Sequence, residues 1–171
     1  MPGYVLHIAI AQEYIKKHKN KEENKKEFIK GTIYPDSVTD KSLTHYGEKS
    51  GKTNLSNFLK ENKIQDSFNR GYFLHLVADY LFYNKYLEMF SNDIYNDYDI
   101  LNGYLIKKYK VNLPEEVKKY VFFHKGNTKI LHKEMAETII KQVSELDLDE
   151  IEKEIKENPN SKKWCTYNEN I

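Results

Sequence analysis

The stretch Phe68-Asn69-Arg70-Gly71-Tyr72-Phe73-Leu74-His75-Leu76-Val77-Ala78-Asp79-Tyr80-Leu81-Phe82-Tyr83-Asn84-Lys85-Tyr86 decides the fold. Phe68, Tyr72, His75, Asp79, Phe82 and Tyr86 follow one another at steps of four and three, so in a helix they form one stripe. His75 and Asp79 therefore interrupt an aromatic face. A carboxylate buried unpaired in such a place is strongly unfavourable, so Asp79 needs a cation, a protonated partner or a wet cavity. A plain His75–Asp79 contact one turn apart is the simplest alternative and needs no metal.

Working outward, the periodicity predicts a long helix over residues 64–90, preceded by a short one that Asn54 or Ser56 caps and that runs through Asn62. Residues 4–19 form a first helix, with Val5, Ile8, Ala9, Gln12 and Ile15 near helical spacing. Residues 22–30 form a second, with Phe28 and Ile29 inward and Gly31 as its stop. Pro35 pushes Tyr34 away from helical geometry, so 31–37 is a loop, and Gly47, Gly51 and the many polar residues between 38 and 54 keep that stretch mostly irregular. Further helices are expected over 94–110, 114–124 with Pro114 at the start, 128–143 and 147–158. The expectation is an all-α, single-domain multi-helix bundle around a metal site, spanning 1–158. A tail over 159–171 frays apart from Trp164.

Bulk properties agree. The 171 residues suit one domain with a real core. The 27 basic and 26 acidic residues nearly cancel, which argues against a protein built to wrap nucleic acid. Fourteen tyrosines suggest a core whose margins touch water or a polar cavity. With Cys165 as the lone cysteine, any metal must be held by His and carboxylates. No basic leader precedes an apolar stretch at the start, and no segment approaches the roughly 20 apolar residues of a membrane span, so a cytoplasmic location is expected.

Three more residues join His75 and Asp79 as candidate ligands. His7 lies at the edge of the apolar face of the first helix, Asp36 follows Pro35 in its loop, and His45 sits in Thr44-His45-Tyr46-Gly47. Each has an ordinary reading: a core histidine, an Asx-turn or cap, a surface histidine. Together they supply three imidazoles and two carboxylates, the donors that Zn²⁺ and similar divalent metals use when cysteine is absent. His124, at the end of the run Tyr120-Val121-Phe122-Phe123, is either a helix-terminus residue or a further ligand.

The order His7, Gly31-x-Ile33-x-Pro35-Asp36, Thr44-His45-Tyr46-Gly47 and Gly71-Tyr72-x-x-His75-Leu76-x-x-Asp79 resembles the zinc-dependent phospholipase C family, related to the S1/P1 nucleases. The Met1-Pro2-Gly3-Tyr4 opening is similar to small bacterial members of it. The resemblance covers about the first half of the chain. It implies that Asp36, His45, His75 and Asp79 surround one zinc, that His7 binds a second with Asp79 bridging, and that Asp36 orients or deprotonates the attacking water. The implied chemistry is hydrolysis of a phosphodiester or phosphomonoester, with a phospholipid headgroup, a nucleic acid or a small phosphate ester as substrate. The family's third zinc is expected to be missing or differently held: residues 80–86 contain no histidine, Ala136 stands four positions after His132, and only His124 offers a substitute. The alternative is a non-catalytic helical scaffold whose metal is structural or vestigial. A helical phosphohydrolase of the HD superfamily needs an adjacent His-Asp pair, and the chain has none.

Overall fold

The structure, a computed structural model, describes residues 3–171. It is all-helical, with no strand among the described residues. The helices are α1 (Tyr4–Lys17), α2 (Lys25–Ile33), α3 (Ser42–His45), α4 (Leu55–Glu61), α5 (Ser67–Leu81), α6 (Asp93–Tyr109), α7 (Lys133–Ser144) and α8 (Leu148–Glu157). Short 3₁₀ turns lie at Tyr34–Asp36, Ser50–Lys52 and Glu115–Tyr120, and a π turn at Phe82–Tyr86 extends α5. No helix among the described residues is long and apolar enough to cross a membrane.

Two helices run through the centre. Every residue of α5 from Arg70 to Tyr80 is buried, and so is every residue of α1 from Val5 to Ala11. Such helices have no solvent face over those turns, which is why their hydrophobic pattern is continuous and not a stripe. Arg70 enters this interior with its charge matched: Nε donates to Glu23 (2.8 Å), one terminal nitrogen donates to Asp149 (2.8 Å), and the other donates to the Tyr14 hydroxyl (3.2 Å).

The most extensive helix pairing is α2 against α5, and two glycines set its distance. A Cβ on Gly31 would lie 1.9 Å from the Phe68 carbonyl oxygen, and one on Gly71 would lie 2.0 Å from that of Phe28. Backbone meets backbone at this crossing. Gly31 is therefore not a helix stop: α2 continues through it to Ile33, and the expected loop over 31–37 shrinks to the turn around Pro35.

Other boundaries move for equally local reasons. Asp66 caps α5 by accepting the Asn69 N–H, so the helix starts after residue 64, and beyond the π turn Leu87 is extended. The expected helix over 114–124 is a 3₁₀ turn ending at Tyr120, because its continuation bonds to α6 instead: Asn102 donates to the Phe122 carbonyl and His124 N–H donates to Asp99 O. Residues 128–132 stay out of α7 because the buried Asp97 carboxylate accepts the N–H groups of Lys129, Ile130 and Leu131 at 2.7–2.9 Å. The tail is pinned, not frayed. The Tyr80 hydroxyl lies 3.0 Å from the Lys163 carbonyl and accepts the Thr166 N–H, Tyr167 donates to Thr53 O, and Trp164 is buried.

Candidate metal centre

The glycine crossing fixes the centre. It brings the Thr32 carbonyl, in the last turn of α2, to 2.7 Å from His75 Nδ1 on α5. A carbonyl only accepts, so His75 carries its proton on Nδ1 and turns the lone pair of Nε2 inward. His45, on α3, is held the same way: its Nδ1 lies 3.0 Å from the Lys41 carbonyl. Tyr46 then turns the chain with φ 58°, a left-handed conformation uncommon for a tyrosine, which ends α3 with His45 facing in. Asp36 arrives on the 3₁₀ turn after Pro35, whose carbonyl accepts the Thr44 hydroxyl at 2.8 Å; Tyr72 on α5 donates to Thr44 O at 2.6 Å. The turn, α3 and α5 are thus stitched together around the site.

Asp36, His45, His75 and Asp79 are all buried, and each contributes a ligand-type atom lying within 4.8 Å of the others. His45 Nε2 is 2.9 Å and His75 Nε2 3.2 Å from Asp79 Oδ2; the same two nitrogens lie 3.6 and 3.7 Å from Asp36 Oδ1. Both Asp36 carboxylate oxygens and His75 Nε2 have no hydrogen-bond partner. Two neutral imidazoles with inward lone pairs face two carboxylates, so the centre is acceptor against acceptor in a water-poor interior. A proton or a cation must stand between them. The electrostatics say the same. Burial disfavours charge on His75, yet Asp36 and Asp79 outweigh it and hold its pKa above the ordinary 6.5. Burial would raise the Asp79 carboxyl, but His75, His7 and His45 hold it well below the usual carboxylate range. Two nitrogens and two carboxylates that carry two negative charges fit a divalent ion.

His7 comes to this group without joining it. Its ring stacks on His75 with centroids 3.6 Å apart, and its Nε2 lies 2.9 Å from Asp79 Oδ1, the oxygen not shared with His45 and His75. As Asp79 is ionised, Nε2–H donates to it and Nδ1 is left buried without a partner. Burial and the neighbouring His75 push the His7 pKa down, so it sits neutral. An ion in the four-residue pocket feels His7 through Asp79, whereas an ion between His7 and Asp79 would have to replace that hydrogen bond. His124 is elsewhere: half-exposed, with Nδ1 2.7 Å from Asn96 Oδ1 and 3.4 Å from Asp99 Oδ2, and outside the group of four.

A cleft of about 510 Å³ opens beside the centre, with Asp36, Lys41, Tyr4, Tyr98 and Tyr120 among its lining residues. The Asp36 carboxylate itself is shut off from solvent. Lys41 is the residue over it, donating to the Asp36 carbonyl with Nζ 3.9 Å from Oδ1. Tyr98 is buried with its hydroxyl unpartnered among the described residues, and burial together with the Asp79 charge holds its pKa well above the ordinary value. Neither Lys41 nor Tyr98 has a sequence signal: the first sits in a polar loop, the second in an aromatic-rich helix. Comparison with protein-family models, curated proteins and solved structures returns no match.

Proposed function

We propose that the protein is a zinc-dependent phosphoric ester hydrolase whose ion is held by Asp36, His45, His75 and Asp79. One observation carries the reading: buried acceptors with no partner converge on one point beside a cleft. The motif resemblance of the first half of the chain to zinc-dependent phospholipases C supports the choice of zinc and of a phosphate ester. An ion bound here supplies charge neutralisation for phosphate oxygens and acidifies a water.

The chain's own groups take the remaining roles. Asp36 has two carboxylate oxygens free of protein hydrogen bonds, so one can bind while the other accepts the proton of an attacking water. Thr32 and Lys41 hold the Nδ1 sides of His75 and His45 through their carbonyls, so that Nε2 of each faces the ion. The Lys41 ammonium and the neutral Tyr98 hydroxyl stand where the cleft meets the centre and suit the anionic oxygens of a phosphate ester. A second reading, an ion that only braces the fold, draws on the complete burial of the Asp36 side chain.

Metal analysis of protein incubated with zinc and then desalted separates these readings when combined with turnover of bis(4-nitrophenyl) phosphate. The hydrolase binds about one zinc per chain and loses turnover in chelator and in Asp36→Asn. Stoichiometric zinc without turnover favours the bracing ion. Absence of zinc overturns both, and turnover that survives His75→Ala belongs to a contaminant.

A further inference from the structure

We infer that the rim of the cleft is a docking face for an anionic lipid bilayer. Surface chemistry alone supports this face, whether or not the centre is catalytic. Seven large apolar side chains are exposed among the described residues; three of them line the cleft, and three more lie within two positions of residues that line it or the cavity beside it. Tyr95, Tyr120 and Phe122 line the cleft itself; Phe123 follows Phe122, Leu43 lies two residues from the lining Lys41, and Met89 precedes Phe90, which lines the adjoining cavity of about 290 Å³ that shares Lys41 and Tyr95. Phe122 and Phe123 are 56% and 63% exposed. A concentration of this kind on one rim marks an interaction surface, because apolar residues scattered singly would not collect there.

The exposure is built in. The Phe122 carbonyl accepts from Asn102, His124 N–H is bonded to Asp99 O, and three consecutive N–H groups from Lys129 to Leu131 are taken by the buried Asp97. These bonds leave the segment no freedom to fold its two phenylalanines inward, so α6 presents them as a fixed projection.

Charge selects the partner. Residues 117–133 contain five lysines and two histidines and no carboxylate; Lys118 and Lys129 pair with Glu115 and Asp93 outside that stretch at 2.8 and 3.6 Å, and Lys119, Lys125 and Lys133 have no carboxylate partner among the described residues. Lys118 and Lys119 precede the aromatic run and Lys125 follows it, with Lys119 Nζ 5.1 Å from the centre of the Tyr120 ring. Aromatic rings that insert at the headgroup level, flanked by lysines that stay with anionic phosphates, provide the two signals that stable peripheral attachment needs. The cleft then opens toward the headgroup layer.

Vesicle sedimentation tests this, using the full chain with and without zinc on phosphatidylcholine vesicles alone and with about 30% phosphatidylserine. The mixed vesicles should pull down both forms and the neutral ones much less. Phe122→Ser with Phe123→Ser should weaken binding at least about tenfold, as should Lys118→Glu with Lys119→Glu and Lys125→Glu, while zinc content and near-ultraviolet circular dichroism stay unchanged. As a readout that tolerates no misfolding, Phe122→Trp should shift its emission to the blue on mixed vesicles only. Wild-type protein left in the supernatant of both vesicle types overturns the inference, as does equal sedimentation of the phenylalanine variant. A solution dimer that the same variant dissociates would give the face to a second copy. Binding of a single-stranded oligonucleotide without vesicle binding would give it to nucleic acid.

Discussion

His75 is where the geometry makes its strongest chemical demand. In metal-free protein the Asp36 and Asp79 charges keep its pKa above 6.5, so near that pH the imidazole holds the proton that a metal must displace. Zinc uptake near pH 6.5 should therefore release protons from this site, read by titration calorimetry in buffers of different ionisation enthalpy. No dependence on the buffer would mean that His75 is not a ligand. Asp36→Asn should abolish zinc-dependent stabilisation, and in metal-free protein it removes a charge that holds the His75 pKa up, so the alkaline loss of stability should move to lower pH. His7→Ala should leave the site in place and weaken zinc about 10–100-fold, the scale of an outer partner acting through Asp79. At this scale the sequence was informative because an imidazole and a carboxylate one turn apart on an aromatic helix have few innocuous explanations, and because their loop partners were of matching chemistry. Residue chemistry alone did not set His7 apart, and only the motif resemblance assigned it to a second zinc, since which oxygen of Asp79 a histidine reaches depends on helix packing. His124 stayed open between a helix-terminus residue and a ligand because the apolar run beside it does not show which way it faces; Asn96 and Asp99 hold it at the surface.

Among the elements, the crossing of α2 and α5 governs the centre, and its glycines give a sharp test. Gly31→Ala places a methyl group 1.9 Å from the Phe68 carbonyl oxygen, a backbone atom that no side-chain rotation relieves. The helices must move apart, at a cost of about 3 kcal/mol, and the Thr32 carbonyl moves away from His75 with them. Denaturant unfolding and zinc affinity should fall together in this variant. An alanine at the less constrained Gly103, inside α6 and with its Cβ's nearest neighbour at 3.8 Å, should leave zinc affinity unchanged and raise stability by up to about 1 kcal/mol. The same glycine explains why the end of α2 was misplaced from sequence: glycine after a periodic run is the ordinary mark of a helix end, and only the partner helix shows that it is there for close approach. The segment after Pro114 was misread for a related reason. Its apolar spacing suits a helix, but α6 offers its backbone groups other partners and turns Phe122 and Phe123 outward.

For the whole molecule, the buried titratable groups set how metal-free protein responds to pH. His75, raised in the folded state, contributes stability that is complete below 6.5 and is lost as pH rises through its higher folded value. His7, lowered on folding, works the other way: below 6.5 the unfolded chain takes up a proton that the folded one refuses, so stability falls with acid. Asp79, held well below its ordinary 3.8, adds a contribution present above that value and lost as pH drops further. The urea midpoint of chelated protein should thus peak near pH 6.5 and decline on both sides, and saturating zinc should flatten the alkaline limb, where it takes the place of the His75 proton. An all-helical single bundle was legible throughout, since scarce glycine and proline and a helical period leave little else. The central burial of α1 and α5 was not, because a helix covered on every side loses the one-sided pattern by which helices are placed.

The tail has a consequence in time. All four centre residues lie between positions 36 and 79, and so leave the ribosome well before Lys163 and Thr166. Tyr80, one residue beyond the last donor, waits for Lys163 and Thr166 to close its hydroxyl. The donors are therefore made before the residues that lock the helix carrying two of them.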